Sequence, residues 1–445
     1  MPDDPWVPIR VVDFDLLTAE SSWDDGTTGG PVLVLVRLHT SPVGVVSVEL
    51  ESGQTVADHR ERLTSMFRDD LEKHRSRFGC SVNLENQPPD EPASCLANRT
   101  ALLAHAPSVS VIVATHDRPE LLVRCLQSLL TQTHAPLEVL VVDNARSSDS
   151  TERLLESEAY ASRGVRYVRE DIAGLGRAHN TGLVHSRGEV VAITDDDVIA
   201  DRHWIAALLE AFVEHGAGCV TGLILPMELR TREQSWVEQY GGFARGFQQR
   251  SISLASPPEG DPLFPFTAGR FGSGANMAFT RELLDRLNGF DAALGAGTRS
   301  RGGDDLAAFA RTVLAGDTLV YQPDAVVRHL HHDDYAALQR MAHGYGVGLG
   351  AYLASLFTTD PKLLGALVRR LPAGLRYLTS RDSDKNRNIQ PDYPRQLVLT
   401  ERMGLVRGPF SYIASRWDLR KRLRLAEAAA AHTEASPRSQ LQSLP

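Results

Sequence analysis

The sequence predicts an α/β protein: a mostly parallel sheet flanked by helices, with a small α+β module before it and a helical extension after it. Three observations predict this. Between residues 107 and 345, short β-branched runs alternate with amphipathic stretches, the pattern of strands joined by crossover helices. Before residue 82, the runs VLVLVRL and VGVVSVEL are followed by a charged, helix-like stretch from Val56 to Phe78, without that alternation. After residue 345, apolar residues recur at helical spacing through YGVGLGAYLASLF and LLGALVRRLPAGLRYL, with no strand between them.

In chain order, residues 1–82 form the α+β module, and residues 83–106 are expected to be a linker. The stretch NLENQPPDEPASCLANRT is rich in Pro, Asn and acid and has no apolar period. SVSVIVA (108–114) reads as a buried strand, and Pro119 opens a helix with Leu122, Leu126, Leu129 and Leu130 on one face. LEVLVV (137–142), VRYVRE (165–170) and EVVAIT (189–194) supply further strands, with helices over Arg177–Ser186 and Trp204–His215 between and after them. Residues 346–425 form a basic helical extension, and 426–445 a disordered tail ending in SPRSQLQSLP.

Bulk composition limits the function classes. A chain of 445 residues, 42% hydrophobic, is long enough for about two to three domains. No run approaches the roughly 18 apolar residues of a membrane span, and MPDDPWVPIR lacks a basic-then-apolar leader, so the cytoplasm is the expected compartment. Cys80, Cys95, Cys125 and Cys219 lie far apart with no CxxC pairing; buried free thiols are expected rather than a zinc knuckle or a disulfide framework. The net charge of −9 conceals an asymmetry, because residues 361–425 carry 15 Lys/Arg against 5 Asp/Glu. That basic segment suits an anionic partner such as a lipid head group or a phosphorylated acceptor, with peripheral contact at the inner face of a membrane as one expectation; a solvated helical face is the alternative. No nucleic-acid partner is expected.

The chemistry concentrates where strands end. Thr115-His116-Asp117, Asp143-Asn144 and Asp195-Asp196-Asp197 each directly follow a predicted strand, and in parallel sheets ligands gather beyond the carboxyl ends. Asp143 and Asn144 can hydrogen-bond a base edge, and the turn at Thr115 can offer backbone amides. Three adjacent carboxylates repel one another unless a cation or water compensates them, and Asp195 and Asp197 share one side of an extended chain. Taken singly, each cluster could instead be a turn, a helix cap or a solvated loop. Further along, His329 and His331 of HLHHDD alternate onto one face, and neutral imidazoles are common metal ligands; partly buried polar residues are the plainer reading.

Residues 108–345 resemble a family 2 glycosyltransferase of the GT-A fold, the inverting class that uses nucleotide-diphosphate sugars. The stretches that carry the resemblance are VSVIVATHDRPELLVRCLQSLLTQ, LEVLVVDNARSSDST, GLGRAHNTGL, GEVVAITDDDV, FGSGANMAF, NGFDAALGAG and RGGDDLAAFAR, in the family's order. The resemblance implies that Asp143 reads uracil or another base and that Thr115, Asp117, Arg118 and Asn144 line the nucleoside pocket, with Arg177 and Asn180 over it. It also implies that Asp195 and Asp197 form the metal-binding pair beside Asp196, that His331 or His329 completes the metal site, and that Asn276 and Ser273 lie in the sugar or acceptor cleft. The usual Glu-Asp catalytic signature is Asp304-Asp305 here, which leaves open which carboxylate reaches the acceptor.

Inverting transfer requires such parts: charge develops on the leaving diphosphate, which Mn²⁺ or Mg²⁺ can neutralise, and the acceptor hydroxyl needs a carboxylate to take its proton. Asp305 is the expected base, and either aspartate could also cap the following helix. The expected donor is a nucleotide-diphospho-sugar, a UDP-sugar foremost; the expected acceptor is a hydroxyl-bearing glycan, lipid-linked or small molecule, in polysaccharide, cell-envelope glycan or glycoconjugate synthesis. Two rivals stand beside this reading. A nucleotidyltransferase normally carries a Gly-rich basic loop after its first strand, where this chain has ATHDRPE; a decayed binding module would not need both acidic motifs intact.

Overall fold

The computed structural model describes residues 6–22, 29–80, 94–239, 242–379 and 393–435. Its N-terminal module is a four-stranded sheet of β1 (Arg10–Asp15), β2 (Ser21–Ser22), β3 (Gly30–Leu38) and β4 (Ser41–Leu50), in the order β2-β1-β3-β4. β3 and β4 form a hairpin whose two-residue turn, His39-Thr40, joins the paired residues Leu38 and Ser41. The helix-like stretch breaks at Phe67 into α1 (Arg60–Met66) and α2 (Arg68–Phe78), and Leu63 and Leu71 pack onto Phe14, Val32, Val34 and Val36. Gly79 ends α2 in the left-handed conformation at φ 58°, turning the chain so that Cys80 is buried beside that core. His74, on the inner face of α2, is pushed down to about 4 by burial, so its ring is neutral at physiological pH.

Part of the expected linker is helical: α3 (Ser94–Leu103) packs against the domain of the larger sheet, while 83–93 lie outside the described residues. The reason is Arg99. Its buried guanidinium donates to Glu210 at 2.7 Å and Asp324 at 2.7 Å, and also reaches the hydroxyl of Thr40, so one side chain joins the hairpin turn to two carboxylates of the larger domain. Burial opposes its charge, but Asp324 and Glu210 outweigh burial and raise its pKa. Arg99→Leu leaves two carboxylates, only 3% and 4% exposed, without their cation; urea unfolding should show a loss of about 3–5 kcal/mol.

The central sheet is built from β5 (Val109–Thr115), α4 (Pro119–Leu129), β6 (Glu138–Asn144), α5 (Ser150–Leu155), α6 (Glu158–Ala161), β7 (Val165–Glu170), α7 (Leu175–His185) and β8 (Val190–Asp195). It continues through β9 (Val198–Ala200), α8 (Trp204–His215), β10 (Cys219–Pro226), α9 (Arg232–Gln239), β11 (Arg250–Ile252), β12 (Met277–Thr280), α10 (Arg281–Arg286), α11 (Asp304–Leu314) and β13 (Leu319–His329). The order is β11-β13-β10-β12-β8-β5-β6-β7, with β9 paired to β13. β7, β6, β5 and β8 are mutually parallel, as are β10 and β13. β12 enters antiparallel between β8 and β10, so the sheet is mixed in its second half.

The central strands β5, β6 and β8 are buried on both faces, which is why they read as largely apolar runs. Along β5, Val111 and Val113 join one core with Leu122, Leu126 and Trp204. The alternating Ile112 and Ala114 join the other, with Phe279, Phe309 and Tyr352.

Among the described residues, three helices follow: α12 (Tyr335–Thr359), α13 (Lys362–Thr379) and α14 (Arg395–Ala435). The expected boundary at 345/346 falls inside α12, whose Ala351 and Tyr352 belong to the core of the central sheet, so this part of the extension is not a separate module. The helix also runs past 425 to Ala435, into the expected disordered tail; 436–445 lie outside the described residues. α12 and α14 approach closely because Gly346 and Gly350 face Gly404 and Gly408: a Cβ at Gly346 would lie 1.9 Å from the Glu401 carbonyl oxygen. This contact buries Leu397, Glu401, Tyr412 and Ser415 and leaves the opposite side of α14 to solvent. Among the described residues, no helix is long and apolar enough to cross a membrane.

Candidate active site

Sheet register places the strand-end clusters side by side. Thr115 pairs with Asp143, and Ala114 with Asp195, so three carboxyl ends share one rim. Asp117, at φ 51°, turns back and accepts hydrogen bonds from the Ser147 amide (3.1 Å) and hydroxyl (2.6 Å), tying the turn after β5 to the turn after β6. Those bonds hold the Asp117 carboxyl below its usual range. Asp143 is fully buried; its Oδ2 accepts from the Tyr167 hydroxyl at 3.2 Å, its Oδ1 has no partner, and burial raises its pKa.

The aspartate triplet splits by direction. Asp196 turns inward with no exposure, accepting from the Thr115 hydroxyl at 2.7 Å and pairing with Arg118 at 2.7 Å. Burial raises it to about 6, against the pull of Arg118. Arg118 also reaches Asp197 at 3.1 Å. Asp195, Asp197 and His329 face one another, with one ligand atom from each within 4.8 Å of the others. The pairing of β9 with β13 sets this up: Val198 lies opposite His329, and the Leu330 amide donates to the Asp197 carbonyl at 3.0 Å. Burial, then the charges of Asp197 and Asp196, raise Asp195; burial lowers His329 to about 4, leaving a neutral imidazole. Two carboxylates and a neutral imidazole suit Mn²⁺ or Mg²⁺, and the buried Asp197 Oδ1 has no hydrogen-bond donor of its own.

His331, the other candidate ligand, stands outside this cluster. Its Nδ1 lies 3.1 Å from His329 Nδ1 and its Nε2 lies 2.7 Å from Glu238 Oε1, so both ring nitrogens are engaged. It orients His329, whose Nε2 then faces Asp197 at 3.4 Å.

At the start of α11 the two carboxylates differ. Asp304 is buried, with Oδ2 3.4 Å from His179 Nδ1. Asp305 accepts the Gly274 amide at 2.9 Å and the Leu306 amide at 2.8 Å, and burial followed by the Asp304 charge raises it to about 6. The loop that supplies Gly274 passes close to β10: a Cβ at Gly272 would lie 2.4 Å from that of Thr221, at φ 155°.

Several expected binding residues are engaged within the protein. Asn276 is fully buried, donating to the carbonyls of Leu223 and Ala325 and accepting from Trp204 Nε1, so it does not line a cleft. Asn144 accepts the Gly174 amide and donates to Ile172, leaving no amide edge for a base. Asn180 clamps the backbone of Phe290 from both sides. Arg177 pairs with Glu170 at 2.9 Å. Ser273 accepts the Asn276 amide through its carbonyl.

Tyr345 on α12 feels the charges of both the metal-type cluster and Asp305. Surrounding protein first, then the charges of Asp305, Asp195 and Asp197, raise its phenol above the ordinary range, so all three carboxylates lie within electrostatic reach of one side chain that is still 46% exposed. Phe243 packs against Tyr345, His329 and His331. Sequence reasoning missed Tyr345, Phe243 and Glu238; aromatic residues beside glycines in GFARG and GYGVG were the available signal.

Residues 110–287 match the family model described as Glycosyl transferase family 2. An uncharacterised glycosyltransferase of a Nostoc species, alr2836, is 24% identical over 179 residues, covering 40% of this chain and 52% of its own. The glucosyl-dolichyl phosphate glucuronosyltransferase of Haloferax volcanii is 24% identical over 234 residues, covering 50% of this chain and 68% of its own. The chain thus spans about half the length of the Nostoc relative. A solved structure of the mannosyltransferase PcManGT from Pyrobaculum calidifontis, in complex with GDP-Man and Mn²⁺, aligns with a TM-score of 0.42 at 22% identity, over 76% of this chain and 86% of that one. Over residues 110–287, this chain is thus similar to glycosyl transferase family 2.

Proposed function

We propose that the protein transfers a sugar, with inversion, from a nucleotide-diphospho-sugar to a hydroxyl acceptor. The observation that supports this reading is the cluster of Asp195, Asp197 and His329, one ligand atom from each within 4.8 Å of the others, with Asp305 and both of these aspartates acting on the phenol of Tyr345. A divalent cation held by Asp195, Asp197 and His329 would neutralise charge on the departing diphosphate. Asp305 takes the acceptor proton, held in place by two backbone amides.

The donor base is uracil. Tyr167 already occupies one oxygen of Asp143, and the remaining buried oxygen is a single acceptor, matching the one N–H of the uracil pairing edge rather than the paired donors of guanine. A panel of nucleotide sugars with Mn²⁺ should show UDP-sugars giving the largest thermal stabilisation and releasing UDP. Release of pyrophosphate from nucleoside triphosphates would point to a nucleotidyltransferase, and silence toward every donor to a binding module.

The acceptor is presented at an anionic membrane surface and is lipid-linked, like the substrate for which the Haloferax relative is named. Leu399, Met403, Val406, Phe410, Ile413 and Trp417 recur every three or four residues along α14 and are 58–73% exposed. Arg407, Arg420, Lys421 and Arg424 are exposed along the same helix. Pairing this face with its own copy would set like charges together, whereas an acidic cytoplasmic leaflet complements them. Flotation with anionic vesicles should recover the wild-type protein, and Phe410→Asp with Trp417→Asp should weaken binding at least about tenfold. Equal flotation of wild type and variant, or concentration-dependent dimers in its place, would remove the membrane assignment.

A further inference from the structure

Outside the active site, the N-terminal module gathers a second set of ligand-type side chains that none of the expected chemistry uses. His39, His74 and Cys80 come from three places in the chain: the β3–β4 turn, the inner face of α2, and the residue after the α2 cap. One ligand atom from each lies within 4.8 Å of the other two. The Cys80 sulfur lies 3.6 Å from His39 Nε2. Metal distances of about 2.3 Å to sulfur and about 2.0–2.1 Å to nitrogen, at a tetrahedral angle, put the two ligands about 3.6 Å apart.

We propose that His39, His74 and Cys80 form a structural site for a thiophilic divalent cation, Zn²⁺ foremost, with water as the fourth ligand. Two further observations support it. His74 Nε2 is buried without a hydrogen-bond partner, in a residue only 8% exposed; an unpaired buried polar nitrogen is costly unless something engages it. His39 occupies a turn position at φ 57°, where glycine or asparagine would fit with less strain. Thiolate and imidazole ligands favour zinc over the harder cation suited to Asp195 and Asp197. Binding releases the Cys80 thiol proton to solvent, leaving a site of net charge +1 with Asp15 within electrostatic reach of His39 and Asp324 within reach of His74. The cation would hold the β3–β4 turn onto α2, beside the Arg99 network that joins this module to the catalytic domain.

The test uses the full chain, stripped with chelator and titrated with Co²⁺. Wild type should develop a near-ultraviolet thiolate-to-cobalt band that saturates at one equivalent, and Asp197→Ala should retain it. Cys80→Ser and His39→Asn, the latter chosen because asparagine tolerates the turn, should abolish or collapse the band. Added Zn²⁺ should raise the melting temperature of wild type but not of Cys80→Ser. Folded wild type with no such band, or a band that persists in Cys80→Ser, overturns the proposal. Neither result bears on sugar transfer, which is read separately by UDP release.

Discussion

Asp305→Asn should abolish sugar transfer, lowering kcat by about a hundredfold to ten-thousandfold, while nucleotide and Mn²⁺ still stabilise the protein to the wild-type extent. An amide cannot accept the acceptor proton, yet it has nearly the same shape and can still accept the Gly274 amide that positions the neighbouring loop. Binding should therefore survive where chemistry does not. The pH profile gives an independent check. Burial and Asp304 together raise Asp305 to about 6, and only its deprotonated form is a base. The rate should thus fall as pH drops through about 6, whereas an unperturbed aspartate would hold its rate to about pH 4. Asp304→Asn removes the negative neighbour and should shift this limb to lower pH without abolishing turnover. Retained turnover in Asp305→Asn, with loss in Asp304→Asn, would reverse the two roles.

The second large effect is expected at Asp197. Asp197→Ala removes a carboxylate that faces both Asp195 and His329, and it also frees one arm of Arg118. Thermal stabilisation by UDP with Mn²⁺ should fall to the level seen with UDP and chelator, and kcat/KM should fall by about a thousandfold, since charge neutralisation at a leaving group is worth several kcal/mol. His331 supplies the graded comparison. Because it touches His329 rather than the carboxylates, His331→Gln should weaken Mn²⁺ dependence by only about 10–100-fold. Equal losses at Asp197 and His331 would mean that His331 is itself a ligand.

The central strands were legible for a simple physical reason: β5 and β6 are buried on both faces, so Val111–Ala114 and Val139–Val142 carry an unbroken apolar signal. Helix α4 was legible from Pro119 at its first turn and from a strong apolar face. The linker failed because α3 is stabilised by Arg99 meeting partners more than a hundred residues away. A local pattern carries no trace of such contacts. The boundary at 345 failed for a similar reason: α12 belongs to the catalytic core through Tyr352, which a hydropathy pattern cannot distinguish from an appended helix.

Among the site residues, the acidic clusters announced themselves as polar breaks after apolar strands, but direction was invisible. Asp195, Asp196 and Asp197 are equivalent in composition, and only the turn between β8 and β9 sends Asp196 inward to Thr115 and Arg118. The asparagines at 144, 180 and 276 misled for a related reason: an amide that satisfies buried carbonyls looks the same in sequence as one that meets a ligand.

What the sequence alone determined was the order of strands and helices, the family resemblance and the kinds of side chain available at the rim, because those depend on local periodicity and on residue identity. The tertiary structure decided which of them meet. The register of β9 against β13 selects His329 over His331, the buried start of α11 separates Asp304 from Asp305, and a hairpin turn folded onto α2 brings Cys80 to two histidines without any CxxC spacing. Each outcome depends on contacts between distant segments, and only the packed chain sets those distances.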